Sequence, residues 1–118
     1  AATEESSAHI NYKNSICSAK DNGTTLVMKQ LGMARVIKNP FSNAALQAES
    51  SGTNADALKE LLGSKREMKG IFFGDISEGM LEAGQSSGLI HDILPVNKLM
   101  QQLISEYDTA LIKLNHTL

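Results

Sequence analysis

The chain has 118 residues, a formal net charge of -2 and 42% hydrophobic residues, a composition typical of one globular unit. Because no block of like charge occurs, the sequence argues against nucleic acid or an anionic membrane as a partner. The single cysteine, Cys17, excludes an internal disulfide and a cysteine metal cluster, and it favours a reducing, cytoplasmic setting. No apolar run approaches the roughly 20 residues that span a bilayer, so we predict no membrane segment.

The first predicted element is a short amphipathic helix. Apolar side chains recur there at three- and four-residue spacing, at Ala8, Tyr12, Ile16 and Ala19. Ser6 or Ser7 is positioned to cap this helix, and residues 21–23 would end it. His9 lies at the helix start, where we interpret it as a capping or packing residue.

Two short strands are predicted next. Residues 24–29 and 34–39 are rich in β-branched and apolar residues, with a glycine turn between them, and Pro40 stops the second. Arg35 has the charge to contact a phosphate, but we interpret it as an arginine that braces the helix behind it.

Helical segments follow the strands. Residues 42–49 favour helix by propensity, and residues 55–62 form a second helix that Gly63 ends. Capping pairs precede the second helix and a further helical turn, at Thr53 with Asp56 and at Ser64 with Glu67. We interpret residues 24–70 as a small accessory lobe without chemistry of its own.

The stretch from residue 74 to residue 90 reads as a helix with too much glycine. Asp75 and Glu78 form a capping-box pattern that predicts a helix from Ile76. Three glycines inside it would each cost about 1 kcal/mol relative to alanine, so a close contact must offset them. Small residues at 83, 84, 87 and 88 would leave one helical face bare, open to another backbone or to a flat ligand. Close helix packing with no ligand is the alternative interpretation.

A long terminal helix completes the predicted elements. Pro95 suits its first turn, and apolar residues recur along it at three- and four-residue spacing, which predicts one buried face. These residues are Val96, Leu99, Met100, Leu103, Tyr107, Ala110, Leu111 and Leu114.

The order of residues in the glycine-rich stretch resembles the closing helix of the FMN-dependent TIM-barrel oxidoreductases. This family includes the nitronate monooxygenases (2-nitropropane dioxygenases) and the flavin-type enoyl-acyl-carrier-protein reductases. The resemblance rests on Gly-Asp at 74–75, Gly79, the string AGQSSGLI at 83–90 and the pattern DI-x-PV at 92–96. Further matches precede it, at Ala2, Thr3, Glu5, Ser6, Ala8, His9, Lys13, Arg35, Val36, Ile37 and Asn39.

The resemblance implies a fold that the chain would complete only in part. A TIM barrel needs roughly 250 residues, so the chain would be the carboxyl-terminal part of a (β/α)8 barrel flavoprotein, a helix-rich α+β fragment. Residues 1–23 would hold the end of a barrel strand and its helix, and residues 24–70 the accessory lobe. The closing helix and the terminal helix would occupy residues 71–118.

The resemblance also implies a cofactor site. FMN would be bound mainly by residues upstream of this chain, with Gly84 and Gln85 near the flavin. Ala83 and Ser86 would line the substrate cavity. We predict no catalytic residue and no metal ligand within the chain, and we expect the chain alone to be inactive.

Three functions remain open at this point. The first is the carboxyl-terminal segment of an oxidoreductase that oxidises alkyl nitronates with oxygen, and the second is a flavin-dependent enoyl-acyl-carrier-protein reductase. The third is a non-catalytic helical interaction module that uses the small-residue face to bind a partner helix. Under the enzyme interpretations the expected partners are the remainder of the barrel and a small-molecule nitronate or acyl substrate. A homodimer with a second copy of the protein is a further option.

Overall fold

The computed structural model describes residues 1–117, which form five α-helices, one 3₁₀ helix and one two-stranded sheet. The elements are α1 (Ile10–Ser18), β1 (Thr24–Val27), β2 (Ala34–Ile37), α2 (Pro40–Ser50), α3 (Ala55–Leu62), α4 (Arg66–Ile71), the 3₁₀ helix (Gln85–Leu89) and α5 (Val96–Thr117). The predicted helix-rich α+β class with two short strands is confirmed.

The two strands form an antiparallel hairpin, with a register that runs from Thr24 opposite Ile37 to Val27 opposite Ala34. The free edge of β2 is also occupied, because residues 81–83 return along it. The Ile37 amide donates to the Leu81 carbonyl at 2.9 Å, and the Ala83 amide donates to the Arg35 carbonyl at 3.1 Å. β2 is therefore bonded along both edges.

The buried side chains fall into two clusters on either side of β2. On one side the hairpin packs against α2 and α3, through Val27, Met28, Val36, Phe41, Ala45, Leu58 and Met80. On the other side α1 packs against β2 and the returning segment, through Tyr12, Ile16, Ile37 and Leu81. Val36 and Ile37 are neighbours in sequence and belong to different clusters, because successive side chains of a strand point to opposite faces.

Asn39 connects the start of α2 to a turn far along the chain. Its side chain accepts from the Ser42 amide at 2.9 Å and, with Ser42, forms a capping box at the start of α2. Its amide group donates to the carbonyls of Ile76 and Gly79, at 3.0 Å and 2.8 Å. Pro40 ends the strand segment, as predicted, and also occupies the first turn of α2, where its missing N–H costs nothing.

Three of the predicted helix caps are wrong. Neither Ser6 nor Ser7 caps α1, whose N-cap residue is His9. The side chain that caps α3 is Asn54, which accepts from the Ala57 amide, rather than Thr53. Ahead of α4 the predicted Ser64 and Glu67 pair does not form; Lys65 precedes the helix in the left-handed conformation and makes no side-chain cap. Gly63 ends α3 with a φ of 65°, which confirms the predicted stop.

Arg66 joins α3, α4 and the segment that follows α4. Its guanidinium donates to the carbonyls of Leu61, Leu62 and Glu78, at 2.8, 2.6 and 2.7 Å. The same group lies over the Phe41 ring, 4.3 Å from the ring centroid. Carbonyls at the end of α3 that have no partner within the helix are thereby satisfied.

The predicted helix from Ile76 through residue 90 is wrong. Asp75 does cap one turn, because its carboxylate accepts from the amides of Ser77 and Glu78 at 3.2 and 2.9 Å. The chain then extends at Met80, since residues 81–83 form backbone hydrogen bonds with β2 that a helix would not allow. Only residues 85–89 are helical, as a short 3₁₀ helix.

The long terminal helix α5 is confirmed, but its predicted burial is not. Glu5 fixes its start, because both carboxylate oxygens accept from the Val96 amide at 3.1 and 2.9 Å. From Val96 to Thr117 no residue is buried, and the large apolar side chains other than the half-buried Leu99 are exposed. Beyond its first turns, no other described segment packs along the helix. Among residues 1–117 we find no helix long and apolar enough to cross a membrane.

Candidate functional site

The four predicted site residues, Ala83 to Ser86, lie where the strand-like segment meets the 3₁₀ helix. Ala83 and Gly84 precede this helix, and Gln85 and Ser86 are its first two residues. Ala83 is half-buried, whereas Gly84, Gln85 and Ser86 are exposed. Gly84 has an extended conformation, with φ -76° and ψ 168°, and its carbonyl accepts from the Ser87 amide at 3.1 Å. The site residues are therefore held together as one exposed turn.

The small residues of this region do not share one bare face. Ser87 is buried, with 4% of its surface exposed, and Gly88 packs against the backbone of Lys20. A β-carbon at Gly88 would lie 3.1 Å from the Lys20 carbonyl oxygen, so this glycine serves close packing. At Gly84 the nearest atom to such a carbon would be the Ser86 hydroxyl, 3.9 Å away. The predicted stripe is wrong as a helical surface, and only its first half is open.

Hydrogen bonds connect the start of the exposed turn to two neighbouring elements, β2 and α1. On one side the Ala83 amide is bonded to the Arg35 carbonyl of β2. On the other side the Tyr12 hydroxyl of α1 donates to the Glu82 carbonyl, across 70 positions of sequence. Burial, with a smaller contribution from the Glu82 charge, raises the pKa of Tyr12 above 10.0, so the hydroxyl keeps its proton at neutral pH.

Tyr12 was predicted only as one apolar position of the first helix. It is buried, with 4% exposure, and a buried tyrosine hydroxyl usually finds a hydrogen-bond partner. That general rule was the available signal in the sequence. It indicates that a partner exists, but it does not indicate which carbonyl.

His9 caps α1, as predicted. Its Nδ1 atom accepts from the Asn11 amide at 3.1 Å, and its own amide donates to the Ile71 carbonyl at 2.7 Å. Gly74 lies against the imidazole, so that a β-carbon there would come within 2.3 Å of Nδ1. The ring is therefore occupied by capping and packing contacts.

Lys13 is buried, although it carries a charge. Its ammonium group donates to the carbonyls of Glu4 and Ser6, at 3.3 and 2.8 Å, and so fixes the turn ahead of α1. Arg35 has a different partner from the predicted one. Its guanidinium donates to the Thr24 hydroxyl at 3.1 Å, and it therefore braces the hairpin rather than a helix.

A cavity of about 300 Å³ lies at the other end of the 3₁₀ helix. Its lining comes from the first residues of the chain, from the connection before α5 and from the first turns of α5: Ala1, Ala2, Thr3, Leu89, Ile90, His91, Asp92, Leu94, Leu99 and Gln102. The 3₁₀ helix thus carries the exposed Gln85 at its start and the cavity-lining Leu89 at its end. Within the described residues, no group of three or more potential metal ligands is found.

The exposed turn has the chemistry to hold one edge of a flavin ring. The Gln85 amide can donate and accept, the Ser86 hydroxyl can do both, and Gly84 leaves room beside its Cα atom. A flavin presents carbonyl oxygens and a ring N–H at its pyrimidine edge, which match these groups. The residues present therefore fit one part of a flavin site.

No family model and no curated protein sequence matches the chain. Among solved structures, it is similar to FabK from Thermotoga maritima, with a TM-score of 0.89 and 30% sequence identity, over 99% of this chain and 37% of that one. It is also similar to a point mutant of the same protein, with a TM-score of 0.79 and 26% identity, over 99% of this chain and 34% of that one. The chain thus spans little more than a third of the structures that it matches.

Proposed function

From the premise that this chain is a structural relative of part of FabK, a flavin-type enoyl-acyl-carrier-protein reductase with a TIM-barrel fold, we propose that it is the carboxyl-terminal part of an FMN-dependent oxidoreductase. The observation that carries the proposal is the similarity over 99% of the chain at a TM-score of 0.89. The open turn at Gly84 and Gln85 supports it, because its hydrogen-bonding groups suit a flavin.

Enoyl reduction is the activity that we propose first. From the sequence alone we predict nitronate oxidation first, but both of the similar solved structures carry the name FabK. Nitronate oxidation is retained as the second candidate, because the string from Ala83 to Ile90 resembles both branches of the family. When bound, the flavin would supply the hydride transfer.

The residues of this chain would bind and orient rather than react. Gln85 would hydrogen-bond one edge of the ring, and Gly84 would let the ring approach the backbone. Ala83 and Ser86, on either side of them, would line the part of the complete site that holds the substrate. The phosphate of FMN and the groups that move protons would come from the remainder of the barrel.

The apolar face of α5 supports the partnership with that remainder. Met100, Leu103, Tyr107 and Leu111 lie on one side of a helix none of whose described residues is buried. Exposed apolar surface of this extent marks a contact with another body. We propose that the barrel wall covers it.

The test is to purify the native protein that carries this chain and to measure its visible absorption. We expect bound FMN, and oxidation of a nicotinamide cofactor that depends on an enoyl thioester. Oxygen consumption with an alkyl nitronate and no nicotinamide would instead support the second candidate. A colourless protein that binds no added FMN would contradict both, and the chain expressed alone serves as the inactive control.

A further inference from the structure

The hydrogen bond from Tyr12 holds the peptide group between Glu82 and Ala83, which is the last backbone group bonded to α1 and β2 before Gly84. On one side Glu82 forms an antiparallel β-bridge with Val36 of β2. On the other side its carbonyl accepts a hydrogen bond from the Tyr12 hydroxyl of α1. The Ala83 amide, the other half of this peptide group, donates to the Arg35 carbonyl of β2. Gly84 follows at once, and a glycine gives the backbone more conformational freedom than any other residue.

Apart from the 3₁₀ helix that Gln85 begins, few contacts define where its side chain lies. Gly84, Gln85 and Ser86 are exposed, whereas Ser87 is buried again and Gly88 packs on Lys20. The turn is thus an exposed span between two fixed points. Within the described part of the chain, the Tyr12 hydroxyl is the only side-chain group that hydrogen-bonds to Glu82 or Ala83.

We infer that Tyr12 is a positioning residue, whose hydroxyl holds the Glu82 carbonyl so that Gly84 and Gln85 are presented to the flavin in one orientation. This inference rests on the proposed function, in which the turn contacts the flavin. Tyr12 itself is buried and would not touch the cofactor. Its protonated hydroxyl, described above, serves as a donor throughout the neutral pH range.

The experiment compares three variants of the native flavin-loaded protein: Tyr12→Phe, Gln85→Ala and the double variant. Tyr12→Phe removes one oxygen and keeps the ring in its cluster. The matched control is Tyr107→Phe, which deletes the same atom from α5, on the face that we assign to the barrel wall rather than to the flavin. Asn54→Ala, which removes the cap of α3, controls for a general loss of stability.

The first readout is the dissociation constant of FMN, measured by the change in flavin fluorescence. We expect Tyr12→Phe to weaken binding about fivefold, the effect of one net hydrogen bond, and Gln85→Ala about tenfold. In the double variant Tyr12→Phe should add less than twofold, because two residues that act through one contact are not additive. The two controls should leave binding within twofold of the parent protein.

A second readout follows the turn itself. Hydrogen exchange of the amides from Ala83 to Ser86 should become faster in Tyr12→Phe and stay unchanged in both controls. If Gln85→Ala weakens FMN binding and Tyr12→Phe changes neither binding nor exchange, the positioning role is wrong although the proposed function stands. If the parent protein binds no flavin, or Gln85→Ala has no effect on binding, the proposed flavin contact fails and the inference fails with it.

Discussion

Gly79 lies so close to Gly70 of α4 that a β-carbon on Gly79 would come within 2.3 Å of the Gly70 Cα atom. The same carbon would lie 2.4 Å from the Asp75 carbonyl oxygen. Both neighbours are backbone atoms, which cannot rotate away as the end of a flexible side chain can. This contact lets Met80 and Leu81 enter the two clusters that flank β2.

Gly79→Ala should therefore destabilise the fold by about 3 kcal/mol, the upper part of the usual range for overpacking. Gly84→Ala is the matched control, because the space beside Gly84 is open and its φ of -76° suits alanine. Urea unfolding should place that control within about 0.5 kcal/mol of the parent. Equal stabilities for the two variants would contradict the close approach.

Replacing Asn39 should cost more than replacing an ordinary helix cap. Asn39→Ala removes the cap of α2, worth about 1 kcal/mol, and leaves the Ile76 and Gly79 carbonyls without their donor, for a total of about 2 kcal/mol. Asn54→Ala, which loses a cap alone, should cost about 1 kcal/mol. Asn39→Asp keeps the capping oxygen and should lie between the parent and Asn39→Ala in thermal unfolding.

Asp75 should make stability depend on pH in the acid range. The hydrogen bond from the Glu78 amide, with smaller contributions from Lys69 and the Ser77 amide, holds the pKa of Asp75 below its ordinary 3.8. A carboxyl whose pKa is lower in the folded state stabilises the fold above its unfolded pKa, and the contribution is lost as pH falls through the folded pKa. The free energy of unfolding of Asp75→Asn should therefore be lower than that of the parent at pH 6. The difference between the two should narrow below about pH 4. A difference that stays constant down to pH 2 would contradict the assignment.

Arg66 should not tolerate lysine. An ammonium group cannot reach three carbonyls at once or lie flat over the Phe41 ring, so Arg66→Lys should lower stability by about 2 kcal/mol. Lys59→Met is a suitable control, because the Lys59 side chain is exposed and lies 3.9 Å from Asp56. Denaturant unfolding should place the control within about 0.5 kcal/mol of the parent.

The apolar face of α5 should behave differently in the isolated chain and in the native protein. Leu103→Gln with Leu111→Gln should reduce self-association and binding of an apolar dye by the isolated chain, because both side chains are exposed there. In the native protein the same pair should cost about 4 kcal/mol, since the barrel would bury them. A native protein that keeps its full thermal stability would contradict the proposed covering of α5.

Much of the fold was predictable because its signals are local. The strands, the stops at Pro40 and Gly63 and the long last helix follow from propensity and spacing over a few residues. The stretch after Asp75 was not predictable in this way. Its capping turn is local, but its later course depends on hydrogen bonds to Arg35 and Ile37, more than 40 positions earlier.

The string that contains Gly84 and Gln85 was predicted to form one helical face, and that geometry is wrong. Its contact with a flavin stays a prediction. Gly88 and Ser87 are turned inward by contacts with α1 and its following loop, which no spacing argument reveals. The support from Tyr12 depends on the same long-range packing.

Val36 and Ile37 point to opposite faces of β2, so the register of this one strand determines which side chain enters each buried cluster. If β2 slipped by a single position against either neighbour, each cluster would receive the side chain meant for the other. Because β2 contributes a side chain to each cluster, we expect loss of this strand to disrupt the packing around α1 and around α2 together.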